Sequence, residues 1–206
     1  MDYIWDLDGT LLDSYGVIVA SLLETAAVHG VREEREDVLR AATRGSVTAY
    51  LKDLSSRTGV PAEALMRDYR EISHRHTGEI TRMPGAEETL RTLRAAGSRH
   101  FVYTHRGSTS RGLLERLGLI GFFTEIVTSE NGFAPKPSGD AVRHLIRKYA
   151  LDPDSTAYVG DRNLDVGCAK DAGVRAILFL PEISCVEPAG QEDRIIRTLQ
   201  ELTENG

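Results

Sequence analysis

The chain has 206 residues, a formal net charge of -6, and 41% hydrophobic and 27% charged residues. That balance suits one large domain, or one domain with a smaller insert, and its acidity argues against nucleic acid as a partner. No window approaches about 18 consecutive apolar residues, and the N-terminus lacks a signal-peptide pattern, so no membrane span and a cytoplasmic location are expected.

In chain order, the first element is a short apolar strand, Tyr3–Trp5. From residue 15 to 82 the pattern is helical, with stretches over Ala20–His29, Glu36–Arg44, Val47–Arg57 and Pro61–His76 and no convincing strand. A helix over Ala86–Ala96 follows, with Ala86, Leu90 and Leu93 on one face. Strands are predicted at Phe101–Thr104, Glu125–Thr128, Ala157–Val159 and Ala176–Leu180. Helical stripes fall between them, at Leu113, Leu114 and Leu117 and at Val142, Leu145, Ile146 and Tyr149. Alternating strands and helices predict an α/β fold, a Rossmann-like parallel sheet covered on both faces. The expected organisation is a core of residues 1–14 and 83–206 with a helical domain, residues 15–82, inserted after the first strand.

The chemistry gathers where apolar strands end. Asp6-Leu7-Asp8-Gly9-Thr10 leaves the first strand. Two carboxylates so close repel each other, and a bound Mg²⁺ relieves that conflict. An Asp-rich turn with local capping is the plainer alternative. Tyr158-Val159-Gly160-Asp161 leaves a second apolar strand, with Asp165 four residues on. Carboxylates also suit a helix start for purely structural reasons. Thr104 closes Phe101-Val102-Tyr103, and Lys136 lies between Pro135 and Pro137. Taken singly, these two read as a cap and a solvated loop. In an open parallel sheet, however, all such strand ends share one edge, where ligands bind. Together they would form an acidic metal site, a hydroxyl donor and a cation.

The set resembles the haloacid dehalogenase superfamily, in particular its phosphoglycolate phosphatase and β-phosphoglucomutase-like branch. Four elements appear in order: Asp6-Leu7-Asp8-Gly9-Thr10, Thr104, Lys136-Pro137, and Gly160-Asp161 with Asp165. The helical insertion resembles that branch's cap domain, hinged at Ser14–Tyr15 and Arg82–Pro84. The resemblance implies an Mg²⁺-dependent phosphatase acting on a small phosphorylated metabolite. Asp6 would be the nucleophile, and Asp8 the acid and then the base. Thr104 and Lys136, with the backbone N–H groups of Leu7 and His105, would hold the phosphoryl group. Asp6, the Asp8 carbonyl, Asp161 and Asp165 would hold the metal. Arg44, in Arg44-Gly45-Ser46, would help choose the substrate, an ordinary helix break being the alternative. His105-Arg106 departs from the small polar residue or Asn more usual after Thr104, and Trp5 stands where Phe is more usual.

Two other readings share these residues. A phosphosugar mutase needs a basic cluster in the cap for its second phosphate, and Arg44 has none around it. A non-catalytic phospho-ligand sensor needs neither Asp8 as an acid nor a cap. His74 and His76, two apart on a helix, are poor metal partners. Cys168 and Cys185 show no metal spacing and read as reduced thiols. A monomer is the default expectation.

Overall fold

The computed structural model describes residues 1–182 and 184–204. By contacts the chain divides into two compact units. One contains Met1–Asp13 and the chain from Arg82 onward; the other is Ser14–Thr81.

The first strand, β1 (Asp2–Trp5), leads into a short β2 (Leu12–Asp13). Four helices then make up the second unit: α1 (Tyr15–Val28), α2 (Arg35–Arg44), α3 (Val47–Thr58) and α4 (Ala62–His76). Val19, Leu22 and Ala26 of α1 pack with Val38 and Ala42 of α2, Leu51 and Leu54 of α3 and Leu65 of α4 in a closed apolar core. Pro61 precedes α4 as its cap rather than its first residue. The helix α1 begins earlier than expected, at Tyr15, because Val17, Ile18 and Val19 are all buried despite their β-branched character. Packing outweighs the weak helix propensity of such a run. Between α2 and α3, Ser46 caps the next helix, its hydroxyl accepting the Ala49 N–H at 3.0 Å.

After β3 (Thr81–Arg82), the chain builds α5 (Ala86–Ala95), β4 (His100–Tyr103), α6 (Thr109–Arg116) and β5 (Phe123–Val127). It continues through α7 (Asp140–Tyr149), β6 (Thr156–Gly160), α8 (Asn163–Ala172), β7 (Arg175–Phe179) and β8 (Arg194–Ile196). Six strands form one sheet in the order β5-β4-β1-β6-β7-β8, and every neighbouring pair is parallel. β1, β4 and β6 read as near-continuous apolar runs because both their faces are covered. On one face, Ile4, Phe101, Tyr158 and Leu178 pack against Val142 and Leu145 of α7 and Val166 and Ala169 of α8.

The sequence led to five strands, and the sheet has a sixth. β8 is only three residues long and begins with a half-buried arginine, so it offers neither alternation nor an apolar run. The strand order reverses around β1, which lies between β4 and β6. That reversal opens a crevice beyond the carboxyl ends of these strands. Among the described residues, no helix is long and apolar enough to cross a membrane.

Candidate active site

The turn after β1 closes on two carbonyls, the Leu12 C=O accepting the Gly9 N–H at 2.9 Å and the Leu7 C=O serving three donors. The C=O of Leu7 accepts the N–H groups of Thr10, Leu11 and Leu12 at 3.1, 3.0 and 2.9 Å. Gly9 makes this curl possible, with φ of 81°, where a side chain would be strained. The result presents Asp6 and Asp8 at the sheet edge, and the Asp6 N–H continues the ladder to Val159 C=O of β6 at 2.9 Å.

The floor of the site is an ionic cluster almost without solvent. Lys136 Nζ donates to Asp6 Oδ1 at 2.6 Å and to Asp165 Oδ1 at 2.7 Å, with side-chain exposures of 0% for Lys136 and 1% for each carboxylate. Two aromatic rings complete the ammonium's surroundings: Tyr103 and Tyr158 have centroids 5.1 and 5.2 Å from Nζ. Each tyrosine is fixed by its own hydroxyl, Tyr158 donating to Tyr103 C=O at 2.8 Å and Tyr103 to Ala134 C=O at 3.1 Å. Burial alone would lower the Lys136 pKa, but the Asp165 and Asp6 charges outweigh it and hold the ammonium above its ordinary range.

The two carboxylates differ. Asp165 sits in the first turn of α8, and its Oδ2 accepts the Arg162 N–H at 3.1 Å. Burial pushes its pKa up, but Lys136, Arg162 and that N–H outweigh burial and hold it below the usual carboxylate range. Asp6 has fewer donors. Burial, with the Asp165 charge beside it, pushes its carboxyl up to about 6 against the pull of Lys136 and Arg162. Its Oδ2 is buried with no hydrogen-bond partner.

That orphaned oxygen points to a cation. Asp6, Asp161 and Asp165 each offer an oxygen within 4.8 Å of the others. An all-carboxylate donor set suits a hard divalent ion. Asp161 is oriented by the buried Thr10, whose hydroxyl lies 3.5 Å from Asp161 Oδ1. The buried Arg162 adds a second cation, its Nε 4.0 Å from Asp161 Oδ1. With all groups ionised, these three carboxylates and two cations leave one negative charge in excess. A divalent ion reverses that sign and prepares the pocket for an anion.

Above the floor lies a more open pair. Arg106 grips Asp8 with both arms of its fork, Nη2 to Oδ1 at 2.5 Å and Nε to Oδ2 at 3.1 Å. The loop that carries Arg106 also serves the lysine. His105 Nε2 accepts the Lys136 N–H at 3.0 Å, and burial pushes the imidazole pKa down to about 4. The ring is therefore neutral near pH 7, with its proton on Nδ1. Thr104 is buried, and its Oγ1 accepts the Arg106 N–H at 3.1 Å, leaving the hydroxyl proton to donate elsewhere.

Thus Asp6, Leu7, Asp8, Thr104, His105, Lys136, Asp161 and Asp165 all come together at one sheet edge of the first unit. Arg44 belongs to the helical unit, as the last residue of α2. Sequence reasoning missed Thr10 and Arg162, and it did not foresee that the His105 ring would turn to the lysine loop. A signal existed for Arg162, since an arginine directly after Asp161 enters a buried strand end. For His105 there was none, because its partner lies 31 residues away.

The chain is similar to known proteins in sequence and in fold. The pyrophosphatase PpaX of Bacillus velezensis is 30% identical over 176 residues, covering 84% of this chain and 79% of that protein. The phosphoglycolate phosphatase of Agrobacterium fabrum is 31% identical over 181 residues, covering 84% and 78%. In fold, CbbY from Rhodobacter sphaeroides, solved in complex with phosphate, superposes with a TM-score of 0.80 at 22% identity over 98% of this chain and 95% of that one. The haloacid dehalogenase-like hydrolase family matches residues 3–179, and the chain belongs to that family.

Proposed function

We propose that the protein is an Mg²⁺-dependent phosphatase that hydrolyses a small phosphomonoester through an aspartyl-phosphate on Asp6. The observation that carries this reading is the orphaned Oδ2 of Asp6, buried beside Asp161 and Asp165 while Lys136 neutralises the other oxygen.

In this mechanism a carboxylate oxygen of Asp6 attacks phosphorus. The bond to the leaving oxygen breaks, and that oxygen keeps the electron pair and takes a proton from Asp8. Water then attacks the phosphorus of the aspartyl-phosphate and gives a proton to Asp8, and the bond to Asp6 breaks to release phosphate. Thr104 donates to the phosphoryl oxygens, as do the backbone N–H groups of Leu7 and His105. Lys136 balances charge on Asp6 and the transferring group. Asp6, Asp161 and Asp165, with the Asp8 carbonyl, would hold the metal, and Mg²⁺ would supply the positive charge that offsets the phosphoryl oxygens. Asp165 acts here through its hold on Lys136 as well. Substrate choice is assigned to the helical unit, with Arg44 the first residue to vary.

The relatives named above suggest where to begin: 2-phosphoglycolate and pyrophosphate belong in a panel with sugar phosphates and nucleotides. Phosphate release should require Mg²⁺ and fall by at least ~10⁴-fold in Asp6→Asn, as for loss of other covalent nucleophiles. Release that survives in Asp6→Asn would refute the covalent route.

A further inference from the structure

We infer that His105 is a positioning residue: its ring holds the backbone of Lys136 and so helps set where the ammonium stands between Asp6 and Asp165; this rests on the phosphatase reading above. Lys136 lies between Pro135 and Pro137, neither of which has an N–H. The Lys136 N–H is therefore the one backbone donor of these three residues, and it belongs to a buried residue. Left without an acceptor there, it would carry a desolvation cost with no bond to offset it. Its acceptor is a side chain, His105 Nε2, at 3.0 Å. The stem of a lysine is flexible. Where its ammonium stands depends on where its backbone is pinned as well as on the carboxylates that draw it.

This pin is one rung of a side-chain ladder. Tyr103 and His105 are alternate residues at the end of β4, and both turn to the lysine loop. The Tyr103 hydroxyl donates to Ala134 C=O at 3.1 Å, and His105 accepts from Lys136 two residues further on. The two rings meet edge to face, with centroids 6.4 Å apart and planes at 86°. Beyond the lysine, the Ser138 N–H donates to Pro135 C=O at 3.0 Å and the Gly139 N–H to Asp171 Oδ2 at 2.7 Å. Ala134 and Gly139 are thus fixed on either side, and His105 supplies the hydrogen bond at the lysine between them. Contacts of 2.6 and 2.7 Å from Nζ to the two carboxylates leave that backbone little room to shift.

Two substitutions separate the ring from the bond. His105→Phe keeps a ring of similar size and removes the acceptor. His105→Gln loses the ring, but its side-chain carbonyl reaches about as far as Nε2 and can still accept. For the wild type and both variants, kcat and KM would be measured with Mg²⁺ on p-nitrophenyl phosphate. Exchange of the Lys136 amide proton would be followed by NMR, with thermal melts to verify folding. A misplacement of ~1 Å can cost about 10²-fold in rate, so His105→Phe should lose roughly 10–100-fold in kcat with KM within about 3-fold. Its Lys136 amide should exchange at least ~10-fold faster than in the wild type. His105→Gln should recover most of both, to within roughly 5-fold of the wild type. Equal losses in the two variants, a loss confined to KM, wild-type kcat in His105→Phe, or a Lys136 amide that exchanges no faster there would overturn the role of His105. If His105→Phe does not fold, an unprotected Lys136 amide in the wild type or in His105→Gln would overturn it. No turnover by the wild type of p-nitrophenyl phosphate or of the panel above would instead overturn the phosphatase reading itself.

Discussion

Both units bury polar side chains, and hydroxyls of the helical unit contrast with the charged cluster of the α/β unit in how they are satisfied. In the helical unit, Ser21, Thr25 and Thr43 are buried, and each hydroxyl donates to the carbonyl four residues back, on Val17, Ser21 and Leu39, at 2.8, 2.7 and 2.9 Å. Such bonds close within one turn of helix and ask nothing of the rest of the chain. In the α/β unit, Lys136 reaches Asp6 across 130 residues and Asp165 across 29, while Thr10 reaches Asp161 across 151. Apart from the Thr10 hydroxyl these groups are charged, all are buried, and they meet only when the sheet has formed. Local satisfaction accommodates a hydroxyl. Long-range convergence of charge builds a site, at a desolvation cost that only geometry and function justify.

The sharpest way to break the contrast is to remove the cation at the centre. Lys136→Ala leaves Asp6 and Asp165 buried and uncompensated, which costs about 3–5 kcal/mol. At roughly 2–4 °C per kcal/mol for a chain of this size, the melting temperature should fall by about 6–20 °C, with loss of activity. A melt within about 1 °C of the wild type would mean that the cluster is not the energetic keystone described here.

Acid tests the neutral buried groups next. Burial pushes His100 from 6.5 down to about 4, and its Nδ1 accepts the Trp5 indole N–H at 3.1 Å, a bond that protonation there would break. His105 is likewise pushed from 6.5 down to about 4. The unfolded chain binds these two protons near 6.5 and the folded chain only near 4, so stability rises with pH across that window. It is fully present above 6.5 and is lost as pH falls toward 4. Melting temperature should drop by about 5 °C or more between pH 7 and pH 5, as order-of-magnitude figures. A flat profile there would rule out two neutral histidines.

The smallest effect should come from the helical unit. Thr25→Ala removes one local hydrogen bond whose carbonyl acceptor is already served by the helix, so it should cost about 1 kcal/mol or less and leave phosphate release unchanged. A loss of several kcal/mol, read by urea denaturation, would show that these hydroxyls carry more than local duty.

The same distinction explains what could be read in advance. β1, β4 and β6 were legible because burial on both faces makes them plain apolar runs, and the carboxylates at their ends followed from the shared edge of a parallel sheet. The strand β8 was not, since an edge strand of three residues with Arg194 in it carries no pattern. The early start of α1 was hidden by Val17-Ile18-Val19, whose helicity depends on what they pack against. Within the site, residue types announced the floor, but the pairing of Arg106 with Asp8 and of His105 with the Lys136 backbone depends on loop geometry, which local sequence does not encode.

The chain has four lysines, and Lys52, Lys148 and Lys170 are exposed while the Lys136 side chain is 0% exposed. An amine held between two carboxylates and two phenol rings is closed to acylating reagents for as long as the fold lasts. Lys136 is thus a natural clock for unfolding: its labelling by an amine-reactive ester records each time the sheet edge comes apart, while the other three lysines react at once and record only that the reagent is present.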